Sequence, residues 1–345
     1  MDQNNPLKQM YECGTSVWLD FISRKLIDSG ELKKLINEDG ISGLTSNPTI
    51  FQKAIAGSPD YDESIKKLIK DGLTDDEIYE SLVIKDIQDC ADIFRPIYDK
   101  TEGRDGFVSL EVSPLLAYDT EKTIEEGKKL WTLVNRKNLL VKVPATKEGL
   151  PAIEALIAEG ININVTLIFS VKRYREVTQA YIHGLNKRLS ENKSVSEIAS
   201  VASFFVSRLD GVVDKLLEDK ISKATDEDKK KFFENLLYKS AVANGKVAYN
   251  MFEEIFQGAD FKGLKEKGAG VQRVLWASTS TKNPDLSDVL YVEPLIGPAS
   301  VNTMPPATIE AARDHAKVKI SIRDHVEEAK KHFEELDLSM IDYDE

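Results

Sequence analysis

Eight short β-branched or apolar runs, separated by amphipathic helical patterns, recur along this chain, and that alternation constrains the fold more than any other feature. The runs are Ser16–Asp20, Gly43–Asn47, Phe107–Val112, Leu139–Pro144, Ile161–Ile168, Ser200–Val206, Gln272–Ala277 and Val289–Val292. Strand and helix in alternation imply βα units around a parallel sheet. Eight such units in 345 residues predict a closed (β/α)8 TIM barrel rather than an open sheet. With 41% hydrophobic residues the chain can bury a core of that size. No Gly/Ser linker, repeat or low-complexity segment interrupts the pattern, so residues 1–345 read as a single domain.

The helical segments carry their own boundary signals. Thr74-Asp-Asp-Glu77 has the form of a capping box, Gly103 follows the end of that helix, and similar caps are expected at Thr120, Thr146 and Ser170. The second connection, from Ile50 to Gly106, is too long for one βα loop and predicts extra helices outside the barrel. A further helical stretch, Asp226–Phe256, precedes the seventh strand, and more helix is expected at the C-terminus. The mixed charges from Asp226 to Lys231 read as a solvated face.

The balance of 58 acidic to 46 basic residues, a net charge of −12, disfavours nucleic acid and anionic membrane as partners. No uncharged run approaches the ~18–20 residues that span a bilayer, and MDQNNPLKQMYECG has no secretion signal. A soluble, cytoplasmic protein is therefore expected, in which the sequons at Asn164 and Asn192 carry little weight. Cys13 and Cys90 stand without a CxxC pattern and are expected as reduced, partly buried thiols. His183, His315, His325 and His332 all fall in helical patterns and are expected at the surface. No His/Asp/Glu cluster suggests a metal, and no cofactor is expected.

Strands of a parallel barrel are buried on both faces, so a charge inside one needs an explanation. Lys142 lies in Leu139-Leu-Val-Lys-Val-Pro144, where an unpaired ammonium among mostly apolar neighbours would cost several kcal/mol. Such an amine should lose its proton easily, and the neutral amine is the nucleophile that forms an imine with a carbonyl substrate. The alternative is a lysine paired with a barrel carboxylate for structure alone. Asp20, Glu111, Asn47, Asn164, Thr166, Ser203 and Arg208 also fall in or just after their strands. Catalysis in this fold is built at the C-terminal ends of strands, and a lone buried polar group would not explain so many at once. After the seventh strand, Ser278-Thr-Ser-Thr-Lys282 is rich in hydroxyls and ends in a cation. With Arg208, Ser280 and Lys282 could hold a phosphate there, drawing an anion to one rim of an acidic protein.

Two segments carry a family resemblance. Gly43-Leu-Thr-Ser-Asn-Pro-Thr-Ile-Phe51 resembles the first signature of the transaldolase family, and Leu140-Val-Lys-Val-Pro-Ala-Thr-Lys-Glu-Gly149 resembles the second, which contains the Schiff-base lysine. The likeness runs from Thr15 to Thr308, and Trp276-Ala-Ser-Thr-Ser-Thr-Lys-Asn283 with Asn302-Thr-Met-Pro-Pro306 is similar to the longer bacterial and plant-type branch.

The resemblance implies a cofactor-free transferase of the non-oxidative pentose phosphate pathway, a monomer or homodimer, that moves dihydroxyacetone from sedoheptulose 7-phosphate or fructose 6-phosphate to an aldose phosphate. It implies that Lys142 attacks the ketose carbonyl, that Asp20 is the acid-base, and that Glu111 and Thr166 hold a proton-shuttling water. Asn47, Asn164 and Ser203 would contact substrate hydroxyls, and Arg208, Ser280 and Lys282 the phosphate. Lys282 stands where many relatives carry arginine, which keeps the charge but gives up bidentate contact. The stretch Glu334–Glu345 stops where relatives usually continue into one more helix over the site. The nearest rival activity is aldol release of dihydroxyacetone, as in the fructose-6-phosphate aldolase branch, which typically lacks a carboxylate at the position of Glu111. A silent sugar-phosphate-binding barrel is the rival from outside catalysis.

Overall fold

The computed structural model describes residues 5–339, and at its centre eight parallel strands close into a barrel in chain order. They are β1 (Thr15–Asp20), β2 (Leu44–Thr45), β3 (Val108–Glu111), β4 (Leu139–Pro144), β5 (Ile163–Ile168), β6 (Ser200–Phe205), β7 (Arg273–Ala277) and β8 (Ser300–Met304). Closure is made by β8 against β1, with Thr15 beside Ser300 and Leu19 beside Met304.

Because side chains alternate along a strand, each strand serves two cores. Val17, Leu19, Val141, Val143, Val165, Phe204 and Trp276 pack in the large outer core with the helices. Trp18, Leu140, Val201, Leu275 and Val301 form a separate layer inside the barrel. Two residues further along the same strands come Asp20, Lys142, Ser203, Ala277 and Thr303, the first layer of the mouth. Trp18 fills the barrel so fully that a Cβ on Gly43 would lie 2.6 Å from its indole, which explains the glycine at the head of the first motif. On the other side of this layer, Asp105, fully buried, accepts from Trp18 Nε1 at 3.1 Å, Ser16 Oγ at 2.8 Å and Arg273 Nη1 at 3.1 Å.

The expected extra helices are present. The second connection holds Pro48–Ala56, Asp62–Lys70 and Asp75–Lys100, the last opened by the Thr74/Glu77 capping box. The single stretch expected over Asp226–Phe256 is two helices, Glu227–Glu234 and Ser240–Gln257, with Tyr238 left-handed at φ 60° in the break, and a third, Ala259–Glu266, follows before β7. Pro306–His315 and Val326–Leu338 follow β8, and the Met340–Glu345 tail lies outside the described residues. Ser170 caps its helix as expected, accepting from Arg173 N, and Thr146 accepts from Gly149 N at the start of Gly149–Glu159. Thr120 does not cap. Asp119 accepts from Lys122 N, while the Thr120 hydroxyl donates to Glu148 O at 2.7 Å. Cys13 is half-buried and Cys90 buried, both as free thiols, and no described helix is long and apolar enough to cross a membrane.

Two further expectations are corrected. Val289–Val292 is not the eighth strand; its Val289, Tyr291 and Val292 are buried in the outer core, and β8 is Ser300–Met304. The run Ser-Val-Asn-Thr-Met reads as polar because its hydroxyls and amide are satisfied inside the protein. Ser300 bonds Gly297 O and Thr15, Asn302 accepts from Thr279, and Thr303 bonds Thr45. The second correction is His332, which is buried, unlike the exposed His183, His315 and His325.

His332 Nε2 and the buried Ser240 hydroxyl share a 2.8 Å hydrogen bond between the last helix and Ser240–Gln257. Burial lowers its pKa to about 4, below the ordinary ~6.5 of an unfolded chain. Between those values the unfolded chain binds the extra proton, so stability falls as pH drops from 6.5 towards 4. Relative to His332→Asn, the wild type should lose on the order of 3 kcal/mol across that window. Urea midpoints of both proteins at pH 7 and pH 4.5 check this; parallel changes would remove His332 as the cause.

Candidate active site

The mouth at the C-terminal ends of the strands opens into a cavity of about 530 Å³. Lys142 lies at its base. The strand register sets Glu111 beside Lys142, and Glu111 Oε2 stands 3.4 Å from the amine, which also donates to Ser46 O at 3.2 Å. The side chains are 8% and 12% exposed, so this is a buried ion pair. The amine is therefore not isolated among apolar groups. Val141 and Val143 give the strand its apolar look but point to the outer core, whereas Lys142 points inward and meets a carboxylate from the neighbouring strand.

Asp20 stands across from it on β1. Burial pushes its carboxyl above the ordinary value, opposed by the charge of Lys142 and by the Thr45 hydroxyl, which donates to Asp20 Oδ1 at 2.7 Å. Thr45 is also 2.6 Å from Thr303 Oγ1, so a hydroxyl chain from β8 through β2 ends on Asp20. With Thr45 donating to the carboxylate, Thr303 must donate to Thr45.

Asn47, Thr166, Ser203, Arg208, Ser280 and Lys282 line the same cavity. Asn47 also caps the Pro48–Ala56 helix, accepting from Ile50 N at 3.0 Å, which fixes its carbonyl oxygen away from other work. Thr166 stands at a register shift between β5 and β6 where Leu167 turns left-handed at φ 61°. Such a bulge re-aims side chains at a strand end. Asn164 does not line the cavity: fully buried, it donates to Ser109 Oγ at 3.0 Å and accepts from Ser203 Oγ at 2.7 Å. Arg208 lies over the Phe205 ring at 5.1 Å, a contact that steadies a guanidinium beside the mouth.

Thr45, Thr303 and Lys53 also line the site and were not singled out from the sequence. Thr45 lies inside the first motif and Thr303 inside the last, so both were in view, but a hydroxyl partner on another strand has no signature in either stretch. Lys53, on the Pro48–Ala56 helix, has no marker at all. Among the described residues no group of three or more His, Cys, Asp or Glu side chains could hold a metal ion.

A closed parallel barrel whose C-terminal mouth holds a buried lysine–carboxylate pair, a second carboxylate and several cations is a (β/α)8-barrel enzyme with its site where this fold builds catalysis. The family model described as Transaldolase/Fructose-6-phosphate aldolase matches residues 17–345. A transaldolase of Trichodesmium erythraeum (strain IMS101) is 50% identical over 332 residues, covering 96% of this chain and 87% of the relative. "Transaldolase 2" of Nostoc sp. (strain PCC 7120) is 47% identical over 333 residues, 96% and 87% of the two chains, and a transaldolase of Saccharopolyspora erythraea is 46% identical over 346 residues, 100% and 91%. The chain belongs to the transaldolase/fructose-6-phosphate aldolase family.

Proposed function

We propose that this protein transfers a dihydroxyacetone unit from sedoheptulose 7-phosphate or fructose 6-phosphate to glyceraldehyde 3-phosphate or erythrose 4-phosphate through a Schiff base on Lys142. The observation that carries the reading is the Lys142–Glu111 pair at the base of the mouth with Asp20 across from it.

In this mechanism the neutral Lys142 amine adds to the ketose carbonyl, and the carbinolamine loses water to give a protonated imine. Glu111 takes the proton that the Lys142 ammonium gives up to become the neutral nucleophile and, with Thr166, holds the water that carries protons in imine formation and hydrolysis. Asp20 takes the proton of the C4 hydroxyl as the C3–C4 electrons move into the imine, leaving an enamine on Lys142 and a free aldose phosphate. The raised proton affinity of Asp20 suits it to hold that proton and return it to the acceptor's oxygen. Asn47 and Ser203 contact the hydroxyls of the three-carbon unit; Asn164 contributes by orienting Ser203. Arg208, Ser280 and Lys282 hold the phosphate.

Borohydride added with fructose 6-phosphate should reduce the imine and mark Lys142 by mass, and added erythrose 4-phosphate should yield sedoheptulose 7-phosphate. No adduct would overturn the mechanism. An adduct without the heptulose would make the protein an aldolase.

A further inference from the structure

The phosphate-site residues proposed above stand on two separate arms. Arg208 is in the first turn of the Ser207–Lys223 helix, and Ser280 and Lys282 lie on the connection from β7 to β8. That helix has no side-chain cap of its own. Its start is held by the other arm: Ser207 N–H donates to Ser278 O at 3.0 Å, and the two serine hydroxyls are 3.1 Å apart.

A second link lies deeper. Asp210, two residues beyond Arg208 and 2% exposed, accepts from the hydroxyl of Tyr291 at 3.0 Å, and Tyr291, itself 4% exposed, belongs to the same connection as Ser280 and Lys282. The other Asp210 oxygen accepts from Ala241 N at 2.6 Å, anchoring the carboxylate to the Ser240–Gln257 helix. A fixed carboxylate thus grips the far end of the arm that carries Lys282, while its own helix carries Arg208.

We infer that the Tyr291–Asp210 hydrogen bond is a positioning device that fixes the spacing of Arg208 and Lys282 and so sets the affinity for the substrate's phosphate; this rests on the phosphate assignment proposed above. An anion that must first gather two loose arms binds more weakly by the fraction of time the arms are apart. When the arms are already set, its binding is not spent on ordering them. Neither Tyr291 nor Asp210 lines the cavity, so both act through their neighbours.

Tyr291→Phe keeps the ring in the core and deletes only the hydroxyl. It should raise KM for fructose 6-phosphate, and the inhibition constant of inorganic phosphate, about three- to tenfold, less than the full worth of a hydrogen bond to a charged group because only the part that spaces the two arms reaches the phosphate, with kcat changed less than about twofold. Arg208→Ala is the control for the site itself and should weaken phosphate inhibition at least as much. Unchanged phosphate inhibition in Tyr291→Phe beside a weakened Arg208→Ala overturns the positioning role alone. A fall in kcat at constant KM in Tyr291→Phe also overturns it. Unchanged inhibition in Arg208→Ala overturns the phosphate assignment, and the inference with it.

Discussion

Lys142→Met should lower the rate of transfer from fructose 6-phosphate to erythrose 4-phosphate by at least ~10⁴-fold, because methionine keeps the length and apolar bulk of the side chain but has no amine to form an imine. Without covalent attachment the C3–C4 bond has no electron sink, and the phosphate and hydroxyl contacts can only bind. The substitution also removes the partner of the buried Glu111 carboxylate. Leaving one member of a buried pair costs stability, so loss of activity has to be separated from loss of fold. Lys142→Met combined with Glu111→Gln provides the separation: it should recover urea stability without recovering activity. A single variant that kept more than about a hundredth of the rate, with no imine trapped elsewhere, would remove Lys142 from the chemistry.

Asp105→Ala is the substitution with the largest expected effect on stability. Asp105 is fully buried beneath the inner layer and satisfies Arg273, Ser16 and the Trp18 indole at once. Removing it leaves the 7%-exposed Arg273 as an uncompensated buried charge, at a cost of about 3–5 kcal/mol. Arg273 still donates to the carbonyls of Arg104 and Ser300, which soften the loss without neutralising the charge. Adding Arg273→Met should return part of that stability, so the double variant is more stable than Asp105→Ala. Denaturation midpoints of the two single variants and the double check the cycle. A cost below about 1 kcal/mol for Asp105→Ala would mean that Arg273 finds adequate partners in those carbonyls.

How far such features could be read in advance depends on whether their cause was local. Alternation of strand and helix, and polar residues at strand ends, are written in single stretches, and from them came the barrel, seven of its strands and the residues now found around one cavity. Where a partner lies on a distant strand, reading fails in both directions. Ser300–Met304 was missed because its hydroxyls and amide are satisfied by β1, β2 and the segment after β7, so it lacked the apolar look of a barrel strand. Val289–Val292 had that look because it packs outside the barrel. Lys142 seemed alone because Glu111 is 31 positions away in sequence but adjacent in register. Asn164 seemed free for substrate because its two serine partners lie on other strands. His332 shows the same blindness on a helix: spacing marks a helical face, but not the helix that comes to cover it.

Trp18 and its layer close the barrel directly beneath Lys142, so among the described residues the amine is reached from the mouth. In the proposed reaction, donor, departing aldose and incoming acceptor all share it. Under the proposed chemistry, the first aldose has to be gone before the second can enter, and each occupies the same phosphate grip. The plug thus turns a packing solution into a rule of traffic: under that chemistry turnover alternates between two half-reactions, and each aldose phosphate competes with the other for the same grip.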